Sequence, residues 1–139
     1  MTSLIGNAPV DGVDVAALLG IPISAEQERA VQAPLKPCAV IAGAGTGKTT
    51  VMAARVVWLV ASRLVSPEEI LGLTFTNKAT AELSERIESN LTRVGLLTSE
   101  QPRPTVATYD SFAGTLVNDY GAWDGISTCL LYTSDAADE

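Results

Sequence analysis

The chain has 139 residues, 47% of them hydrophobic, a formal net charge of −7 and no histidine. That length supports one core and one domain. The acidity argues against a basic field that would hold nucleic acid nonspecifically over the whole surface, and the missing histidine excludes histidine catalysis and histidine metal sites.

The two cysteines, Cys38 and Cys129, provide neither a disulfide framework nor a metal-ligand spacing. No basic segment followed by an apolar run opens the chain, so no signal peptide is expected. The most apolar helical stretch, Val51 to Leu64, carries Arg55 and Arg63 and is too short to cross a bilayer. A cytoplasmic protein without a membrane partner is the expectation.

Residues 1–22 read as an N-terminal extension broken by Gly6, Pro9, Gly12 and Gly20-Ile21-Pro22. Within it, Val15 to Leu19 has room for one or two helical turns after Asp14. Ser24-Ala25-Glu26-Gln27 is a helix start: Ser24 caps, Gln27 three residues later completes a capping box, and Pro34 stops the helix. Gln27 has a second potential use, because its amide matches the donor and acceptor edge of adenine. Spacing alone favours the cap.

Leu35 to Ile41 is apolar and predicts a first parallel strand, buried on both faces. It runs into Ala42-Gly43-Ala44-Gly45-Thr46-Gly47-Lys48-Thr49. A strand, a glycine-rich turn, Lys-Thr and then a helix form the context that identifies a P-loop. The glycines let successive N–H groups curl round an anion, and the helix start adds its positive end. In this arrangement Lys48 reaches the β- and γ-phosphates and the Thr49 hydroxyl holds Mg²⁺. Ala42 stands where the pattern has its first glycine, a mild change at a strand end.

The helix from Thr49 to about Arg63 is apolar nearly all round, which predicts burial on several sides. Ser66-Pro67-Glu68-Glu69 signals a short turn. It leads into a second buried strand, Ile70 to Phe75. Thr76-Asn77-Lys78 opens a third helix with its stripe at Ala79, Leu83, Ile87 and Leu91; Glu82 and Arg86 pair outside it, and Gly95 ends it. Thr105 to Tyr109 is a third strand. Asp110 caps a fourth helix with Phe112, Leu116 and Val117 as apolar positions. Strand and helix alternating in this way predict a right-handed parallel α/β unit. Its ligand edge holds the loops Ala42–Thr49, Thr74–Lys78 and Thr108–Ser111.

These segments resemble the N-terminal motor domain of superfamily 1 DNA helicases of the UvrD/Rep type. Ile23 to Val31 resembles that family's Q motif, Ala42 to Thr49 its motif I, Leu73 to Ala79 its motif Ia and Ala107 to Phe112 its motif Ib. The order and spacing match over about residues 14–120, and the Thr-Asn-Lys-Ala run is the most specific element, since a P-loop fold does not require it. The resemblance implies a P-loop NTPase of RecA-like fold, an incomplete first lobe occupying residues 23–120. It implies adenine recognition by Gln27, nucleotide contacts from Ala42 through Thr50, and ATP with Mg²⁺ as cofactors. It also implies single-stranded DNA contacts from Thr76, Asn77, Lys78, Tyr109 and Ser111. Tyr109 could stack on a base or enter the core; Phe112 suits the core. Asp110 departs from the histidine common at that position, and a carboxylate beside phosphates repels them, so capping is its expected role.

The activity implied is ATP-driven 3′–5′ movement on single-stranded DNA in a repair context, with a helicase–nuclease partner subunit as a further implication. Such motors also use a carboxylate pair after a later strand and arginines from a second lobe. Neither is in this sequence, and Asp138-Glu139 follows no apolar strand. The 139-residue chain alone is therefore expected to bind nucleotide weakly and not to turn it over. The alternative is a nucleotide-binding P-loop module with no helicase activity; a small kinase is disfavoured by Thr76-Asn77-Lys78 and by the lack of a lid or acceptor site. Residues 121–139 read as a tail outside the fold. Within it, Cys129 to Glu139 resembles translated adapter DNA of the kind used in sequencing, and such a scar is left out of fold reasoning.

Overall fold

The computed structural model describes residues 12–45 and 47–125. The expectations for Thr46, for residues 1–11 and for the tail beyond Gly125, including Cys129, Asp138 and Glu139, lie outside the described residues.

Helix α1, Val15–Leu19, starts where Asp14 Oδ1 accepts from the Ala17 N–H at 3.0 Å, and Gly20 ends it at φ 59°. Helix α2, Ala25–Val31, carries the predicted reciprocal box. Ser24 Oγ accepts from the Gln27 N–H at 3.2 Å, and Gln27 Oε1 accepts from the Ser24 N–H at 3.0 Å. Helix α3, Lys48–Ala61, follows the glycine-rich loop. A short 3₁₀ turn, Pro67–Glu69, delivers the chain to strand β1, Leu71–Thr74. Helix α4 is Asn77–Arg93, capped by Thr76 Oγ1 accepting from the Ala79 N–H at 3.1 Å. Strand β2, Thr105–Thr108, runs straight into helix α5, Tyr109–Tyr120, and a last 3₁₀ turn, Gly121–Asp124.

The sheet departs from the expected three strands. It has two, β1 and β2, parallel and paired Leu71 with Thr105 through Thr74 with Thr108. Leu35 to Ile41 forms no strand; the segment is irregular and exposed, with Ile41 at 96%. The reason is physical: a parallel strand draws its hydrogen bonds and burial from flanking strands, and none of the described residues pairs with this run. The expected burial of β1 is corrected for a related reason. Its Leu71 is exposed and the rest half-buried, because α5, which has no buried residue of its own, covers the second face only partly.

The core lies on α3. Ala53, Ala54, Val56, Val57 and Leu59 are buried there. They form one cluster with Val15 and Leu19 of α1, Val31 of α2, and Leu83, Ile87 and Leu91 of α4, apart from Leu59. The predicted α4 stripe therefore faces inward. Two smaller expectations are corrected. Thr108, not Asp110, caps α5: its Oγ1 accepts from the Ser111 N–H at 3.1 Å, which leaves Asp110 in the first turn. There its charge suits the helix dipole. Arg86 does not pair with Glu82; it donates to Thr50 Oγ1 on α3 at 2.6 Å. Reaching across to α3 ties two packed helices, whereas an exposed i,i+4 pair adds only about 0.2–0.5 kcal/mol. Among the described residues no helix is long and apolar enough to cross a membrane.

Leu91 is completely buried at the centre of this cluster. Leu91→Ala is expected to destabilise the fold by about 2–5 kcal/mol, read as a lower urea midpoint. Ser62 is also buried, and its hydroxyl has no hydrogen-bond partner among the described residues. Ser62→Ala is expected to leave the stability unchanged or raise it by up to about 1 kcal/mol, read as an equal or higher urea midpoint.

Candidate functional site

The loop before α3 is built as the glycines require. Gly45 has φ 76° and Gly47 φ 77°, both in the left-handed region, where a side chain costs about 1–2 kcal/mol. Gly47 is the N-cap of α3, so the loop turns directly into a helix start. The first N–H groups of a helix have no partner within it and carry a partial positive charge. Gly43, Ala44, Gly45, Gly47 and Lys48 are exposed at this end, while Ala42, Thr49 and Thr50 are half-buried. Exposed backbone donors, an ammonium and a hydroxyl thus gather at one helix terminus, a chemistry suited to a polyphosphate.

Gln27 stands beside that loop. A β-carbon added at Gly47 would lie 3.3 Å from Gln27 Nε2. The cap and the reader are therefore not exclusive. The amide oxygen takes part in the α2 capping box, and the amide nitrogen lies near Gly47, the N-cap of α3. Thr50, the last of the expected nucleotide contacts, accepts from Arg86 through its hydroxyl.

A second group forms at the carboxyl ends of the strands. Because Thr74 is paired with Thr108, the residues that follow leave the sheet side by side. Phe75 and Tyr109 stack there with ring centroids 5.1 Å apart and planes tilted by 32°. They are 88% and 49% exposed. Thr76, Asn77, Lys78 and Ser111 are exposed around them. The Thr76 hydroxyl caps α4, and the Thr74 and Thr80 hydroxyls lie 2.6 Å apart beneath it. Tyr109, left open between core and surface, is on the surface. Phe112 is half-buried. Phe75 is the residue that sequence reasoning missed, because it read as the apolar end of a buried strand. The available signal was its position: last in the run, at the edge where parallel sheets take ligands. The two groups are joined by the packing of α3 on α4 and by the Arg86–Thr50 bond.

The family model described as the UvrD/REP helicase N-terminal domain matches residues 23–138. The chain belongs to the UvrD/REP helicase family. This UvrD-type segment is 37% identical over 97 residues to a probable DNA helicase II homolog of Rickettsia conorii, covering 70% of the chain and 14% of that protein. It is 36% identical over 115 residues to the ATP-dependent DNA helicase UvrD1 of Mycobacterium bovis, covering 81% of the chain and 14% of the relative. With DNA helicase II of Escherichia coli it shares 45% identity over 75 residues, 54% of the chain and 10% of the relative. The UvrD-type segment thus spans about one seventh or less of the length of these relatives.

The contrast between the two left-handed glycines is testable. At Gly45 an added methyl meets nothing within 4 Å, whereas at Gly47 it presses on the Gln27 amide. Both Gly45→Ala and Gly47→Ala are expected to lower melting temperature through backbone strain of about 1–2 kcal/mol. Only Gly47→Ala is expected to also reduce the preference for ATP over GTP, measured by competition binding.

Proposed function

We propose that this chain is the nucleotide-binding part of the first, RecA-like motor lobe of a 3′–5′ DNA helicase. The parent protein would couple ATP hydrolysis to movement on single-stranded DNA. The observation that carries the reading is the Gln27 amide held against Gly47, at the positive end of α3. One surface then has a reader for adenine and a cradle for the phosphates.

In this reading the N–H groups near Gly45 and Gly47 and the start of α3 surround the β- and γ-phosphates. Lys48 offsets charge that builds on the bridging and γ-oxygens as water attacks the γ-phosphorus and the bond to the β-phosphate breaks. Thr49 would contribute one hydroxyl to a Mg²⁺ that arrives with the nucleotide. The carboxylates that orient the water and the arginines that complete the transition state belong, in this reading, to the rest of the parent.

At the strand ends, Phe75 and Tyr109 offer aromatic faces to unstacked bases, a contact of about 1–3 kcal/mol per base. Thr76, Asn77, Lys78 and Ser111 contact the phosphodiester backbone, which sets position without reading sequence. Taken alone, the chain would act as a binding module: the second lobe needed for closure round ATP is not among its residues. We further propose that residues 129–139 derive from adapter DNA joined to a genuine gene. Resequencing the locus past codon 128 tests this, and an uninterrupted gene encoding the Cys129 tail would overturn it.

In the parent helicase, Lys48→Ala is expected to abolish ATP hydrolysis; retained turnover would remove the assignment of the loop. Phe75→Ala in the parent is expected to weaken single-stranded DNA binding by about tenfold, a value set by the loss of one stacked base. The isolated 139-residue chain is expected to show no DNA-stimulated hydrolysis in a phosphate-release assay.

A further inference from the structure

Helix α2 carries the adenine reader but is only Ala25–Val31, less than two full turns. A helix that short has little stability of its own. Something outside it must hold Gln27 at the loop. The capping box holds only the amino end. The carboxyl end is held by Arg55, a half-buried residue of α3. Arg55 Nη1 donates to the carbonyls of Ala30 at 3.3 Å, Val31 at 3.0 Å and Ala33 at 2.7 Å, and Nη2 reaches the Pro34 carbonyl at 3.4 Å. The last carbonyls of a helix have no partner within it and carry partial negative charge. A planar guanidinium answers several of them at once, which a lysine ammonium cannot do in the same geometry.

Arg55 belongs to the helix whose amino end is the phosphate cradle. It is seven residues from Lys48, two turns along a helix that is buried through Ala53, Ala54, Val56 and Val57 and so cannot tilt freely. On α2, the clamped carbonyls of Ala30 and Val31 lie about one turn beyond Gln27. Fully buried Val31 packs into the same cluster as Ala53 and Ala54. We propose that Arg55 is a positioning residue for base recognition: it fixes the reader helix to the cradle helix and so sets where the Gln27 amide stands relative to the phosphates. It touches no substrate and acts through α2. The inference rests on the reading of Gln27 and the glycine loop given above.

The test uses the intact parent helicase, with competition binding of ATP, GTP and inorganic tripolyphosphate. Tripolyphosphate engages the cradle but has no base to read. Arg55→Ala is expected to weaken ATP about tenfold and to cut the ATP-over-GTP ratio to that of Gln27→Ala, while tripolyphosphate affinity changes less than about twofold. Arg55→Lys should fall between wild type and Arg55→Ala, and it keeps the test open if the alanine variant does not fold. The double variant Gln27→Ala with Arg55→Ala should be no less selective than Gln27→Ala alone, since both act through one contact. A lowered melting temperature in Arg55→Ala and Arg55→Lys with an unchanged ATP-over-GTP ratio would overturn the inference, as would equal losses for ATP and tripolyphosphate. If Gln27→Ala itself leaves the ratio unchanged, the base-reading assignment fails and the positioning role goes with it. If Gln27→Ala abolishes the preference and Arg55→Ala does not, only the positioning role fails.

Discussion

Burial of α3 along most of its circumference is the constraint on which the other features depend. Ala53, Ala54 and Val57 have no exposed surface, and residues from α1, α2 and α4 join them in one cluster. The two alanines let neighbouring helices approach closely, and close packing leaves few alternative positions for a rigid element. A helix fixed in this way presents its amino end in one direction. The proposed phosphate site depends on that fixed end, because backbone dipoles aimed at an anion act only if they do not have to reorganise when it arrives.

Polar bonds between the packed helices reinforce this arrangement. Arg55 reaches from α3 to the end of α2, Arg86 from α4 to Thr50 at the start of α3, and Arg93 from the last turn of α4 to the Leu19 carbonyl of α1, at 2.6 Å. Each places a cation against an oxygen acceptor on another element. Hydrogen bonds from charged donors are the stronger kind, and here they fix directions that apolar packing alone leaves loose. The one ion pair among the described residues, Arg103 with Glu88 at 2.7 Å, is exposed and adds little by comparison.

The strand ends follow a different logic. The parallel register sets Thr74 beside Thr108, and the next residue on each strand is aromatic. The rings stack on one another while remaining open to solvent. Apolar surface held out in this manner is unfavourable in a free domain, and its persistence beside capped helix starts suits a partner with flat faces and negative charge. The acidic net charge of −7 is compatible with the proposed contact, which would be local rather than spread over the surface.

Local chemistry was legible from the residues themselves. The Ser24 capping box, the helix start at Thr76 and the Leu83, Ile87 and Leu91 positions of the α4 stripe formed as read, because a cap and a 3.6-residue period are settled by residues close in the chain. What depended on distant partners was not legible. The apolar run ending at Ile41 did not become a strand, since apolarity proposes a strand but only a neighbour's N–H and C=O groups make one. The exposure of Phe75, the turn of Arg86 away from Glu82, and the four-carbonyl grip of Arg55 also came only from tertiary structure. A sequence states which groups each residue carries; which of them meet is decided by the packing of helices that lie far apart along the chain.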